Sequence, residues 1–265
     1  MTFNFLSNET IKNLENSSKQ FLESKPFNHI IIDNFFNEDI ANKLSNDFLS
    51  FDSKDWFEYD NNLELKKIHN LWNLFPPLTY KVFSYLNSLE FIELLKLGTG
   101  IKSLYCDMGL HGGGCHVHAR GGKLNVHKDY SIHPKMGLLR KVNIIIYLTK
   151  NWNPNWGGGL ELWDDNNGNP GNKIKYVDCI FNRAVIFDTT QNSWHGLPEP
   201  ITCPENEYRK SLAIYYLTEP TQEADPRQKA LYAPYKEQKD NPEILKMIKE
   251  RASDSNYSNT YRKKI

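Results

Sequence analysis

Hydrophobic periodicity divides the chain into three stretches. Up to about residue 100, apolar positions recur mostly at helical spacing. Ile11, Leu14, Phe21 and Leu22 share one face of a helix that Asn8 caps and Lys25-Pro26 ends. His29–Asp33 is a β-branched run that predicts a buried strand. Asn37 caps a second helix carrying Ile40, Leu44 and Phe48. A further helix follows Pro76-Pro77 with Leu78, Val82 and Leu86, and a shorter one over 89–97 stops at Gly98 and Gly100. Residues 51–75 are mixed and aromatic-rich, and no element is assigned to them.

From about 101 to 218 the apolar residues come in short β-branched and aromatic runs between turn signals. The predicted strands are Gly122–Asp129, Lys141–Leu148, Leu160–Trp163, Ala184–Phe187 and Ser211–Leu217, with turns over Asn151–Gly159 and Asp164–Asn172. Short strands at such spacing indicate a sandwich or barrel. After Pro220 the chain is polar, with one helix capped by Asn241, opened by Pro242 and facing inward through Ile244 and Ile248. From Ala252 a loose tail is expected. The implied organisation is a support region over 1–100, a β core over 101–220 within the same domain, and a C-terminal extension over 221–265.

Composition narrows the function classes. The 265 residues suit one domain, and 13% aromatics with 39% hydrophobics argue against disorder. A formal net charge of zero gives no field for holding a polyanion, so nucleic acid is not an expected partner. The basic run Arg262-Lys263-Lys264 reads as a solvated tail. Cys106, Cys115, Cys179 and Cys203 have no zinc-type spacing. With neither a secretory signal nor a membrane-length apolar run, a reducing cytoplasm is the expected setting.

Candidate chemistry centres on Asn125-Val126-His127-Lys128-Asp129-Tyr130. On a strand, residues i and i+2 project together, which pairs the His127 imidazole with the Asp129 carboxylate. These are two corners of the 2-His-1-carboxylate triad that leaves open positions on a non-haem iron. His195, after the strand Ala184–Phe187, is the candidate third ligand. An HxD pair also arises by chance, and His195 alone reads equally well as a turn residue. Arg209 and Ser211 share a strand face, where a guanidinium fork and a hydroxyl suit a carboxylate; Arg209 alone would read as an ion-paired surface arginine.

The complete order resembles the prolyl-4-hydroxylase-like branch of the 2-oxoglutarate/Fe(II) oxygenases over most of residues 26–235. The resemblance rests on Gly112-Gly113-Gly114-Cys115-His116, Arg120–Asp129, Arg140–Leu148, Trp156-Gly157-Gly158-Gly159-Leu160-Glu161-Leu162-Trp163, Phe181–Phe187, Trp194–Pro200 and Arg209-Lys210-Ser211-Leu212-Ala213, with Pro26–Phe36 as the opening strand. It implies a mainly β, α+β fold: a double-stranded β-helix, or jelly-roll, with N-terminal helices on one sheet. It implies Fe(II) on His127, Asp129 and His195, 2-oxoglutarate anchored by Arg209 with help from Tyr147, O2 as co-reactant and ascorbate as a supporting reductant. Asn143 shares the Tyr147 face and is expected to line the site. The implied reaction couples decarboxylation of 2-oxoglutarate to succinate and CO2 with hydroxylation of a substrate. Because Asp129 is present, hydroxylation is favoured over halogenation.

Other residues stay open at this level. His116 and His118 share a face as substrate-side groups, ordinary polar groups or a second metal pair; His116 is the better pocket candidate. Trp194 either walls the pocket or packs in the core. The Gly112–Gly114 run lacks the features of a phosphate loop, and no cysteine pairs with a base. A cupin-type metal hydrolase or isomerase without 2-oxoglutarate is the alternative, and a non-catalytic scaffold is a third. Substrate identity, whether prolyl residue, amino acid, sugar or lipid, belongs to the loops at 51–75, 110–120, 130–139 and 164–176. A homodimer through the N-terminal helices is compatible with the pattern, which does not decide it.

Overall fold

The computed structural model describes residues 4–253. The expected tail beyond Ser253 lies outside them. Two short helices open the chain, α1 (Asn8–Asn16) and α2 (Ser18–Glu23). The cap is Ser7 rather than Asn8, its hydroxyl accepting from the Thr10 amide at 3.0 Å. The expected single helix breaks at Ser17, whose hydroxyl donates to the Gly98 carbonyl at 3.1 Å. Strand β1 (His29–Ile32) and helix α3 (Glu38–Asn46) follow. Asn37 precedes α3 but sends its amide to the Asn4 carbonyl instead of capping.

The unassigned stretch is a hairpin, β2 (Phe57–Asp60) and β3 (Glu64–His69). Helices α4 (Pro77–Leu86) and α5 (Leu89–Thr99) lead into the β region. Gly98 lies inside α5 rather than ending it: a Cβ there would meet Leu14 Cδ2 at 2.8 Å, so its lack of a side chain lets α1 lie against α5. Gly100, at φ 72°, is the actual stop.

The β region comprises β4 (Tyr105–Cys106), β5 (Gly114–His118), β6 (Lys123–Lys128), β7 (Leu139–Tyr147), β8 (Leu160–Asn166), β9 (Asn169–Val177), β10 (Ala184–Asp188), β11 (Trp194–Leu197) and β12 (Arg209–Thr218). Strand β13 (Leu231–Tyr232) and helix α6 (Pro242–Ala252) close the described chain. Asp164–Asn172, expected as a turn, is mostly strand; the chain reverses at Asn167-Gly168, with φ of 52° and 83°. Strand β9 is a largely exposed edge strand, so it lacks the apolar alternation that announces a buried one.

The strands form one antiparallel sheet in the order β1-β10-β7-β12-β5-β3-β6-β11-β8-β9. The two faces of the jelly-roll are joined through β3, which pairs with β5 through Ile68↔His116 and with β6 through Glu64↔Leu124. Burial assigns a function to each side. Outward residues Val142, Ile144, Ile146, Leu212 and Ile214 pack with Leu14, Phe21, Leu44, Phe83, Phe91 and Leu95 of the helices. Between the two halves of the curled sheet, Leu160, Leu162, Val185, Phe187 and Leu197 form a second core. The helices thus back one half of the sheet and leave its other face free to wall a cavity.

Candidate active site

The cavity between the two halves has a volume of about 500 Å³. His127 on β6 and His195 on β11 are direct partners in the antiparallel register, and their rings lie 4.4 Å apart. Asp129 follows β6, with its two oxygens 3.8 Å from His127 Nε2 and His195 Nε2 respectively. Ligand atoms of all three residues fall within 4.8 Å of one another, and all three are buried. Each ring has a fixed orientation. His127 Nδ1 lies 2.9 Å from the Asn125 carbonyl and His195 Nδ1 2.8 Å from the Ser193 carbonyl. A carbonyl only accepts, so each Nδ1 carries the proton and each Nε2 presents a lone pair.

Electrostatics keep His127 and Asp129 in their metal-binding forms. Burial, then the neighbouring His195, lowers His127 to about 3, so it is neutral at physiological pH. Burial pushes the Asp129 carboxyl up, but Arg140 above all outweighs this and holds it below the ordinary carboxylate value. Arg140 Nη1 sits 3.3 Å from Asp129 Oδ1, while Oδ2 is buried without a hydrogen-bond partner. A buried anion with an open oxygen, facing two imidazole lone pairs, fits a divalent cation.

Arg140 is the main site residue that sequence periodicity misses. Alternation along β7 puts it with the outward Val142. The register between β7 and β12 slips there, from Tyr216↔Val142 to Leu217↔Arg140, so β7 carries one extra residue. The bulge turns Arg140 into the cavity. Its guanidinium is sandwiched 3.3 Å and 3.4 Å from the ring centroids of Tyr130 and Tyr215, and Nη2 donates to the His111 carbonyl at 2.6 Å. Tyr232 of β13, also unforeseen, stacks on His127 at 5.2 Å. Glu64 of β3 is buried between Lys66 at 3.0 Å and Arg251 of α6 at 2.5 Å, which ties the C-terminal helix to the cavity wall. In sequence these pairs are far apart or polar within a strand, and neither gives a periodic signal.

The other end of the cavity belongs to β5, β12 and β7. Register sets Arg209 opposite His118, and Ser211 opposite both His116 and Tyr147. Arg209 is 2% exposed. Its Nε donates to the Gly158 carbonyl at 2.5 Å, and Nη1 lies 3.3 Å from Ser211 Oγ and 3.5 Å from His118 Nδ1. The Trp156–Gly159 motif thereby acquires a physical role: Gly158, at φ 80°, would place a Cβ 3.1 Å from Arg209 Cδ, so a glycine lets this turn close over the arginine. These partners of Arg209 are all neutral. A buried guanidinium among neutral groups fits an anion supplied from outside, as the distal carboxylate of 2-oxoglutarate would be.

Of the remaining sequence candidates, Asn143 lines the cavity with its carbonyl oxygen unpaired, and His116 lines it one register step from Arg209. Tyr147 is packed behind the arginine, with the Arg209 guanidinium 4.9 Å from its ring centre. Burial raises its hydroxyl to about 12, so it remains a proton donor. Trp194 is a correction. Because His195 faces inward, its neighbour faces the opposite way; Trp194 packs on Val126 and Ala233 and donates to Asp165 at 2.9 Å.

Residues 113–218, from β5 to the end of β12, match the family model described as the 2OG-Fe(II) oxygenase superfamily. No curated protein matches the sequence. Among solved structures, a prolyl-4-hydroxylase from Pseudomonas putida is similar in fold, with a TM-score of 0.55 at 14% identity over 78% of this chain and 99% of that one. A prolyl hydroxylase from Trichoplax adhaerens, in complex with a hypoxia inducible factor oxygen degradation domain peptide fragment, gives 0.56 at 19% identity over 78% and 90%. Over residues 113–218 the chain thus matches the 2OG-Fe(II) oxygenase superfamily, and its fold is like the double-stranded β-helix of the prolyl-4-hydroxylases.

Proposed function

We propose that His127, Asp129 and His195 hold the Fe(II), that Arg209 with Ser211 anchors the distal carboxylate of 2-oxoglutarate, and that the enzyme hydroxylates a prolyl residue or a small molecule such as a sugar intermediate. The observation that carries this reading is the convergence of two imidazole lone pairs and one open carboxylate oxygen on a common point. When bound, the iron and cosubstrate supply the O2-dependent hydroxylating chemistry, with 2-oxoglutarate leaving as succinate and CO2.

The chain's own residues do the rest. The Asn125 and Ser193 carbonyls hold both rings in the Nδ1-protonated tautomer. Arg140 holds Asp129 ionised and fixes one of its oxygens. Tyr232, stacked on His127, covers the metal end from one side. Phe57, Tyr59 and Lys66 line the approach from β2 and β3, where an incoming substrate would meet them. The fold likeness to prolyl hydroxylases supports the prolyl arm of the reading. The cavity volume of about 500 Å³, in the range of small-molecule sites, supports the small-molecule arm. The cupin-type alternative would leave a buried arginine among neutral partners without a use. The four unpaired cysteines support a reducing, cytoplasmic setting.

The test is succinate formation from purified protein with Fe(II), ascorbate, 2-oxoglutarate and air, beside His127→Ala. Wild-type succinate that the variant lacks supports the reading. Stimulation by prolyl peptides or by sugar intermediates then selects the substrate class. Absence of both succinate and metal-dependent 2-oxoglutarate binding would overturn it.

A further inference from the structure

His118 sits across from Arg209 in the β5–β12 register, and both side chains project into the cavity. It is 2% exposed. Its Nδ1 is 3.5 Å from Arg209 Nη1. A guanidinium can only donate, so Nδ1 is the accepting nitrogen and, in the neutral ring, Nε2 carries the hydrogen. Burial, then Arg209, lowers His118 well below its ordinary value, which keeps the ring neutral. That Nε2–H group is buried and has no hydrogen-bond partner. An orphaned buried donor is costly unless a ligand satisfies it.

We propose that His118 is a second donor to the distal carboxylate of 2-oxoglutarate, its Nε2–H completing with Arg209 and Ser211 a three-sided clamp. The inference rests on the cosubstrate assignment made above and adds a residue to it. Two features single out His118. It is already oriented by the arginine that is to share its ligand, so little ordering remains for binding to impose. It also lies on β5, whereas Arg209 and Ser211 lie on β12, so the clamp grips the carboxylate from two strands and rejects ligands that lack one. His118 is a positioning and specificity residue, since it touches the end of the cosubstrate far from the reacting atoms.

The test is calorimetric titration of the Mn(II)-loaded protein without turnover, with 2-oxoglutarate and with 2-oxopentanoate, which has a methyl group in place of the distal carboxylate. The expected result is that His118→Phe weakens 2-oxoglutarate about tenfold, the scale of one hydrogen bond to a charged group, and leaves 2-oxopentanoate unchanged. His118→Gln, which keeps a donor near the Nε2 position, should recover most of the loss. Equal weakening of both ligands, or of neither, overturns the proposal. Should His118→Phe fail to fold, side-chain 1H–15N spectra of the wild-type Zn(II) form decide. A downfield shift of the His118 Nε2–H signal with 2-oxoglutarate but not with 2-oxopentanoate supports the clamp; identical spectra with the two ligands overturn it. If wild-type protein with Mn(II) does not bind 2-oxoglutarate at all, the cosubstrate reading falls first and this proposal with it. A wild type that binds while the His118 variants bind equally well defeats this proposal alone.

Discussion

The two ends of the cavity are built from opposite chemistry. At the β6–β11 end, His127, Asp129 and His195 present acceptors: two imidazole lone pairs and a carboxylate oxygen without a partner. At the β5–β12 end, Arg209, Ser211 and His118 present donors, and the guanidinium has only neutral company. One end therefore waits for a cation and the other for an anion. A ligand that chelates a metal through one end and carries a carboxylate at the other satisfies both, which is the shape of 2-oxoglutarate. The ends also differ in their support. Asp129 is braced by a buried cation, Arg140, whereas Arg209 forms no ion pair among the described residues and depends on its ligand.

This contrast can be broken from either side. The largest effect is expected from His127→Ala. It should abolish succinate formation and weaken Mn(II) binding at least 100-fold, because loss of an outer partner alone typically costs ~10–100-fold. Arg209→Ala should come next, raising the KM for 2-oxoglutarate about 100-fold while Mn(II) affinity holds, since truncating one side of a buried charge pair costs roughly 2–5 kcal/mol. A parallel loss of metal affinity in that variant would show that the two ends are not separable. Arg140→Met tests the brace: metal affinity should fall about tenfold, with little change in 2-oxoglutarate binding to the reloaded protein. Arg140→Lys should not restore it, because an ammonium cannot replace a planar group stacked between Tyr130 and Tyr215.

Trp194→Phe bounds the site from outside. It removes the bond to Asp165 and should cost ~1 kcal/mol of stability, read in denaturant melts, while KM values stay put. The smallest effect concerns pH. In the folded protein burial first of all lowers His111 to about 4 and His116 to about 3, from 6.5. The unfolded chain then binds protons before the folded one. The stability of the metal-free protein should be full above about pH 6.5 and decline as pH falls from there toward 4. Glu64 adds to the loss at lower pH. Burial raises its pKa, but Lys66 and Arg251 outweigh this and bring it from 4.5 to about 2, so its contribution disappears as pH falls between these values. Melting temperatures against pH should show the upper decline flatten in His116→Phe and the lower one in Glu64→Gln.

The readable parts of this protein are those in which neighbouring residues share a periodic rule. His127 with Asp129, and Arg209 with Ser211, were legible because a strand sends i and i+2 to one face. The outward apolar rows of β7 and β12 were legible for the same reason. The hairpin β2–β3 was not, because its inward positions Glu64, Lys66 and Ile68 mix charge with apolar character and blur the alternation. Trp194 was open between wall and core until the inward direction of His195 decided it.

The sequence by itself set out the helical and β stretches, and it picked out His127, Asp129, His195 and Arg209 as candidates. These follow from local spacing together with the order of a few motifs. Only the tertiary structure decided that a bulge in β7 swings Arg140 onto Asp129, that Gly158 closes a turn over Arg209, that Tyr232 covers His127, and that His118 shares the arginine. Each of these depends on which strands become neighbours and where their register slips. A register shift of one residue reverses a side chain's face without leaving any mark in its own local sequence.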